Sequence, residues 1–197
     1  MEKVLFLDAC IREEGSRTKQ LCDTYLEEFL KYHPEAELET VVLRDGTLHT
    51  HTVEKLNERD GYVREKDWSH PMFELGLQYK HADYIIIGTP YWDLSFAAIL
   101  KVYIENIMVA DLTFGCNDQG FYGLCDGKKM VYITTGGGQI EGQNYGYDYM
   151  CAIAKMTGID ETECFIAENL EIVGFDSDAI MENAKAEIRE RLCAENK

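Results

Sequence analysis

Five short apolar runs punctuate the chain, each bounded by charged or turn-forming residues. They are "KVLFLDA" at 3–9, "AELETVVL" at 36–43, "DYIIIGT" at 83–89, "KMVYITT" at 129–135 and "ECFIAEN" at 163–169. The second is mixed; the others are apolar at nearly every position. Such runs predict strands covered on both faces, as in a parallel sheet. Between them the apolar period lengthens to that of a helix. Over 18–31, Leu21, Tyr25, Leu26, Phe29 and Leu30 share one stripe, and Pro34 ends it. Over 95–108, Ile99, Leu100, Val102, Tyr103, Ile104 and Ile107 make a face wider than a helix lying only on a sheet requires. Further helices are predicted over 145–157, closed by Gly158, and over 176–193, where Ile180, Ala184, Ile188 and Leu192 recur every four residues.

Strand and helix thus alternate along the whole chain. That order predicts an α/β fold with right-handed crossovers and a doubly wound, five-stranded parallel sheet. The strand order expected is 2-1-3-4-5, the flavodoxin-like winding. Residues 1–197 read as a single domain without internal repeats. Two segments exceed the minimal scheme. Residues 44–81 are rich in charge, His and Thr, with a helix expected near 71–79. Residues 111–126, "DLTFGCNDQGFYGLCD", read as a hairpin insertion with aromatic runs around "CNDQG". Long excursions in a compact domain usually serve function or assembly.

Composition narrows the field. With 36 acidic residues against 19 Lys and Arg, the net charge is −17. That disfavours nucleic acid and anionic membrane surfaces as partners. No apolar run approaches the roughly 18 residues of a membrane span, and the N-terminus lacks the pattern of a secretory signal. The seven cysteines are odd in number and form no C-x-x-C pair, which argues against a disulfide framework or a structural zinc site. A cytoplasmic protein is expected. The "HTH" at 49–51 lacks further ligands, so no metal site is assigned.

In an open α/β sheet, ligands bind beyond the carboxyl ends of the strands near the switch point. Three loops therefore carry the chemistry. After the first strand, Gly15, Ser16, Arg17 and Thr18 stand at the mouth of a helix, where free N–H groups, hydroxyls and a guanidinium suit a phosphate. Plain capping of the helix by Ser16 is the other reading. Residues 1–20 hold four bases and four acids, a local balance of zero in a chain at −17, which favours the phosphate. Neither a Walker loop nor a G-x-G-x-x-G follows that strand, so triphosphate hydrolysis and a Rossmann dinucleotide site are not indicated. After the third strand, "TPYWDLS" offers a Pro90-stiffened turn with Tyr91 and Trp92 as flat apolar surface, suited either to a planar ring or to capping the core. After the fourth, "TTGGGQIEGQNYG" lets backbone approach a ligand closely, or is simply a flexible loop. Together the three loops describe a mononucleotide with a large flat ring.

These segments resemble the flavodoxin-fold FMN-dependent NAD(P)H oxidoreductases, the azoreductase and quinone-reductase group. The resemblance runs from "KVLFLDACIREEGSRTKQL" through "GTPYWDLSFAAILKVYIE" and "GKKMVYITTGGG" to "ECFIAENL" and is least clear over 44–81. It implies FMN as cofactor and NADH or NADPH as hydride donor. It further implies ping-pong transfer to a quinone, azo or similar small aromatic acceptor. FMN-binding roles are implied for Cys10, Ser16, Arg17 and Thr18 around the phosphate, and for Pro90, Tyr91, Trp92, Asp93 and Leu94 beside the ring. Thr135, Gly136, Gly137 and Gly138 would lie at its pyrimidine side. No protein acid, base or nucleophile is assigned, because the flavin carries the chemistry. A homodimer with shared active sites is also implied, and the wide face over 95–108 suits burial in one.

Three positions depart from the family pattern. Asp93 stands where Asn is common, and its charge would lower the flavin potential. Gly136 replaces a bulkier residue, which would open the pocket. Cys10 replaces a Ser near the phosphate. The alternatives are a flavodoxin-like electron carrier without turnover of its own, which the acidity suits, and a receiver-like signalling module. The latter needs a phosphorylatable Asp where "GTPYW" stands.

Overall fold

The computed structural model describes residues 1–12 and 14–197. In chain order the first half contains β1 (Lys3–Asp8), α1 (Arg17–Tyr32), β2 (Glu37–Val42), α2 (Val53–Glu65), α3 (Glu74–His81) and β3 (Tyr84–Gly88). The second half contains β4 (Tyr91–Trp92), β5 (Ser95–Phe96), α4 (Ala98–Ile107), β6 (Phe114–Asn117), β7 (Gly120–Gly123), β8 (Lys129–Thr135), α5 (Tyr145–Thr157), β9 (Glu161–Ala167) and α6 (Ser177–Glu195). The main sheet runs β2-β1-β3-β8-β9, all parallel. With the two small hairpins set aside, this is the expected order 2-1-3-4-5.

Alternation within the strands builds two cores. Successive side chains point to opposite faces. Val4, Phe6, Ile86, Val131 and Ile133 pack with α1 and α6 through Leu21, Tyr25, Ile188 and Leu192. Leu5, Leu7, Ile85, Ile87, Met130 and Tyr132 pack on the other face with Tyr79, Leu100, Tyr103, Ile104 and Met150. Every residue of β8 is buried, as befits an inner strand covered on both sides. Each large apolar side chain so buried contributes about 1.5–3 kcal/mol relative to exposure.

The excursion over 44–81 explains the breadth of the apolar face on α4. A second layer lies on that helix. His51 Nε2 lies 3.1 Å from the Glu105 carbonyl oxygen, and Asn106 donates to the His49 carbonyl at 3.2 Å. Beyond the helix, Phe73, Val109 and Leu112 form a third small core. The wide face is thus largely covered within the chain, so a dimer is not needed to account for it. The helix expected near 71–79 is a 3-10 turn, Pro71–Phe73, running into α3. The other helix of this excursion, α2, has no buried residue and hence no apolar stripe to read. Thr52 caps its start and Lys66, at positive φ, closes its end.

The helix expected over 95–108 begins later, at Ala98. Ser95–Phe96 instead pairs with Tyr91–Trp92 as a two-residue hairpin. Asp93 and Leu94 form its turn, both at positive φ (50° and 66°). A turn with two left-handed residues matches the twist of a tight hairpin. Asp tolerates that region; Leu does so at a cost of roughly 1–2 kcal/mol. The hairpin expected over 111–126 is present as β6 and β7.

Candidate active site

The carboxyl ends of β1, β3, β8 and β9 surround one cavity of about 420 Å³. That lies within the usual range for small-molecule sites, about 300–1,000 Å³. Its position at the reversal of strand order follows from the winding.

At the β1 end, the turn into α1 is fixed by a buried carboxylate. Asp8 accepts the Cys10 N–H at 3.0 Å and pairs with Arg44 at 2.8 Å, while Arg44 also donates to the Cys10 carbonyl at 3.0 Å. Arg44 thus ties the least recognisable segment of the sequence to the site. Gly15, at φ +70°, turns the chain into Ser16. Ser16 caps α1 by accepting the Lys19 N–H at 3.2 Å. The earlier N–H groups of the helix have no intrahelical partner, and the helix dipole adds positive potential there. Arg12 and Arg17 line the same cavity. Arg17 also donates to the Leu170 carbonyl at 3.4 Å.

Thr18 and Thr135 meet across the site with hydroxyl oxygens 2.6 Å apart. Each hydroxyl has one hydrogen, so whichever donates, the pair keeps one O–H for a further acceptor. At the β3 end, Pro90, Tyr91 and Trp92 form a wall. The Tyr91 hydroxyl donates to the Gln143 carbonyl at 3.0 Å, bracing the glycine loop. Burial, with Tyr145 and Glu168 nearby, pushes this hydroxyl above its ordinary value, which keeps it a donor.

At the β8 end, the glycine segment is laced to the chain leaving β9. Gly136 donates to the Ala167 carbonyl; the carbonyls of Gly136, Gly137 and Gly138 accept from Leu170, Glu171 and Asn169. The N–H groups of Gly137, Gly138 and Gln139 have no partner among the described residues. Of the three residues, Gly137 lines the cavity.

Nine residues expected at the site line this cavity: Ser16, Arg17, Thr18, Pro90, Tyr91, Trp92, Thr135, Gly136 and Gly137. Four do not. The Cys10 thiol is buried, directed to the Gly88 carbonyl at 3.7 Å, and does not line the cavity. Asp93 and Leu94 form the exposed turn that holds Tyr91 and Trp92 in place. Gly138 lies beyond the lining. Gly136 does not open the pocket either: a Cβ there would meet Ile140 Cδ1 at 2.9 Å, because the fully buried Ile140 fills that space. Sequence reasoning missed Ile11, Arg12, Leu170 and Glu171. Arg12 stood beside the segment read as a phosphate cradle. The other signal was the fifth strand, whose carboxyl end belongs to the same sheet edge as the three loops that were read.

The donor set fits a flavin mononucleotide. It offers a helix N-terminus with two guanidiniums for a phosphate, flat aromatic surface for a ring, and free peptide N–H groups for a ring edge rich in acceptors. Among the described residues, no group of three or more His, Cys, Asp or Glu is arranged to hold a metal ion, and no helix is long and apolar enough to cross a membrane.

Comparison with known proteins agrees with the geometry. The family model for the flavodoxin-like fold matches residues 2–192. FMN-dependent NADH:quinone oxidoreductase 2 of Clostridium acetobutylicum is 35% identical over 198 residues, covering 97% of this chain and 98% of the relative. An FMN-dependent NADH:quinone oxidoreductase of Clostridium beijerinckii is 33% identical, covering 93% and 94%. Among solved structures, an FMN-dependent NADH-azoreductase of Bacillus anthracis in complex with FMN superposes with a TM-score of 0.86, at 23% identity and full coverage of both chains. The chain belongs to the flavodoxin-like fold family, alongside relatives that are FMN-dependent NADH:quinone oxidoreductases.

Proposed function

We propose that this protein is an FMN-dependent NAD(P)H oxidoreductase that reduces quinones, azo compounds or similar small aromatic acceptors. The observation that carries the reading is the convergence of four strand ends on one cavity whose donors match a flavin mononucleotide, in a chain whose relatives bear that activity in their names. FMN, when bound, supplies the redox chemistry, taking hydride from NAD(P)H and passing electrons on to the acceptor.

The protein's own part is binding and orientation. Ser16, Arg17, Thr18 and Arg12 hold the phosphate; the Thr18–Thr135 pair offers one O–H to the ligand. Tyr91 and Trp92 confine one side of the ring, and the strained turn at Asp93–Leu94 fixes their backbone. The N–H of Gly137, on the cavity wall, faces the acceptor edge. No side chain is assigned a proton-transfer role. Anaerobic mixing with NADH tests this directly. The oxidised-flavin absorbance of the loaded protein should bleach and then return on addition of a quinone. A flavin that neither NADH nor NADPH bleaches would leave only the electron-carrier alternative.

The same reading makes the protein a cytoplasmic homodimer. All seven cysteines are free, which suits a reducing compartment. Around the cavity and on the β6–β7 hairpin, Trp92, Leu94, Phe121, Tyr122 and Tyr145 are exposed. Exposed large apolar side chains of this kind are candidates for an interface between two copies of the chain. Sedimentation equilibrium is expected to give twice the 22.6 kDa chain mass. A monomer at micromolar concentration would remove the shared-site proposal.

A further inference from the structure

Glu168, the first residue after β9, lies outside the cavity lining, yet it clasps the loop that forms one wall. One carboxylate oxygen, Oε2, accepts both the Ile140 N–H at 2.5 Å and the Glu141 N–H at 2.9 Å. The other, Oε1, accepts from the Asn169 side-chain amide at 3.3 Å. Asn169 sits at φ +62° and gives its own N–H to the Gly138 carbonyl. One acidic residue therefore satisfies two consecutive peptide donors of a loop that has no regular secondary structure. Charge-assisted bonds of this kind are about twice as strong as neutral ones.

The consequence reaches the cavity through Ile140. Holding its peptide seats that side chain, fully buried, over Gly136. The chain must then bulge between Gly136 and Ile140. That bulge is the stretch whose N–H groups, at Gly137, Gly138 and Gln139, lack partners among the described residues. Glycine matters at two of these positions: a Cβ at Gly136 would meet Ile140 Cδ1 at 2.9 Å and one at Gly137 would meet Glu171 Oε2 at 2.9 Å.

We propose that Glu168 is a positioning residue for cofactor binding: by clasping the peptides of Ile140 and Glu141 it pre-forms the bulge that presents the Gly137 N–H, at the cavity wall, to the acceptor edge of the flavin. This rests on the FMN reading of the cavity. Pre-forming matters because a loop that must order on binding subtracts its ordering cost from the affinity.

The test titrates FMN into apo-protein, followed by quenching of flavin fluorescence, with amide hydrogen exchange on the same apo samples. Glu168→Ala is expected to weaken FMN binding by about tenfold or more, the loss of hydrogen bonds to a charged group. Glu168→Gln keeps an acceptor oxygen with two lone pairs, so it is expected to recover affinity to within about threefold of the wild type. Exchange at Ile140 and Glu141 should accelerate in Glu168→Ala and leave β1 and β3 protected, which also shows that the variant is folded. Equal affinity in wild type and Glu168→Ala overturns the proposal. So does a glutamine as damaging as alanine, or exchange that does not change at 140 and 141. Wild type that takes up no FMN overturns the reading of the cavity and this proposal with it.

Discussion

Ser16→Asp is expected to abolish FMN binding, by about 100-fold or more, while leaving the apo-protein as stable as the wild type. The two halves of that result separate two roles that one side chain can fill. Ser16 caps α1, accepting the Lys19 N–H at 3.2 Å. Asp is as good an N-cap as Ser, and its charge interacts favourably with the helix dipole. Capping alone therefore predicts no loss on this substitution. Phosphate binding predicts a large one, because a carboxylate would stand where the phosphate must come. Two unit charges about 4 Å apart repel by about 4 kcal/mol at an effective dielectric of 20. Even with much of that screened, two orders of magnitude in affinity remain. Thermal unfolding of the apo-protein checks the first half, and a fluorescence titration with FMN checks the second. A stable Ser16→Asp protein that binds FMN within tenfold of wild type would make Ser16 a cap and nothing more.

That ambiguity illustrates what the sequence could carry. The sheet was legible because its signal is local: Val4 and Phe6 alternate with Leu5 and Leu7, and the two sets enter different cores. The cavity was legible in outline because topology alone says which strand ends converge. Other features depend on partners distant along the chain and leave no pattern. Gly136 reads as an opening in the pocket until Ile140 is found in that space. Cys10 reads as a stand-in for serine until its thiol is seen to face Gly88. The lacing of 169–171 onto the glycines uses main-chain atoms, which every sequence possesses. The hairpin at Asp93–Leu94 was hidden for a different reason. Leucine disfavours positive φ, so propensity argued against the turn that the tertiary structure imposes. Helix α2 was missed because none of its residues is fully buried and only its last turn, through Tyr62 and Val63, packs on the third small core, too little to make the helix periodic.

The second large effect concerns how the β6–β7 hairpin is held. Gly123→Ala is expected to destabilise the fold by more than about 4 kcal/mol, the range reserved for exceptional single substitutions. A Cβ at 123 would lie 2.1 Å from the Gly158 nitrogen, 2.2 Å from its Cα and 2.2 Å from the Thr157 carbonyl carbon. All three are backbone atoms at the C-terminal end of α5, so no rotamer change can make room. Nor can that end of the helix yield cheaply. Gly158 closes α5 at φ +95°, and Cys125, two residues beyond Gly123, donates its N–H to the Thr157 carbonyl. The Thr157 hydroxyl lies 3.2 Å from the buried Tyr79 hydroxyl, linking the junction to α3. Separation of β7 from α5 would break several of these contacts at once. Because a domain of this kind is stabilised by only about 5–15 kcal/mol in total, much of the folded population is at risk. Urea unfolding of the apo-protein measures the effect without reference to FMN. A variant within about 1 kcal/mol of wild type would mean that the hairpin does not rest on α5 as described. Such a result would also withdraw Phe121 and Tyr122, which that hairpin carries, from the surface assigned to the dimer.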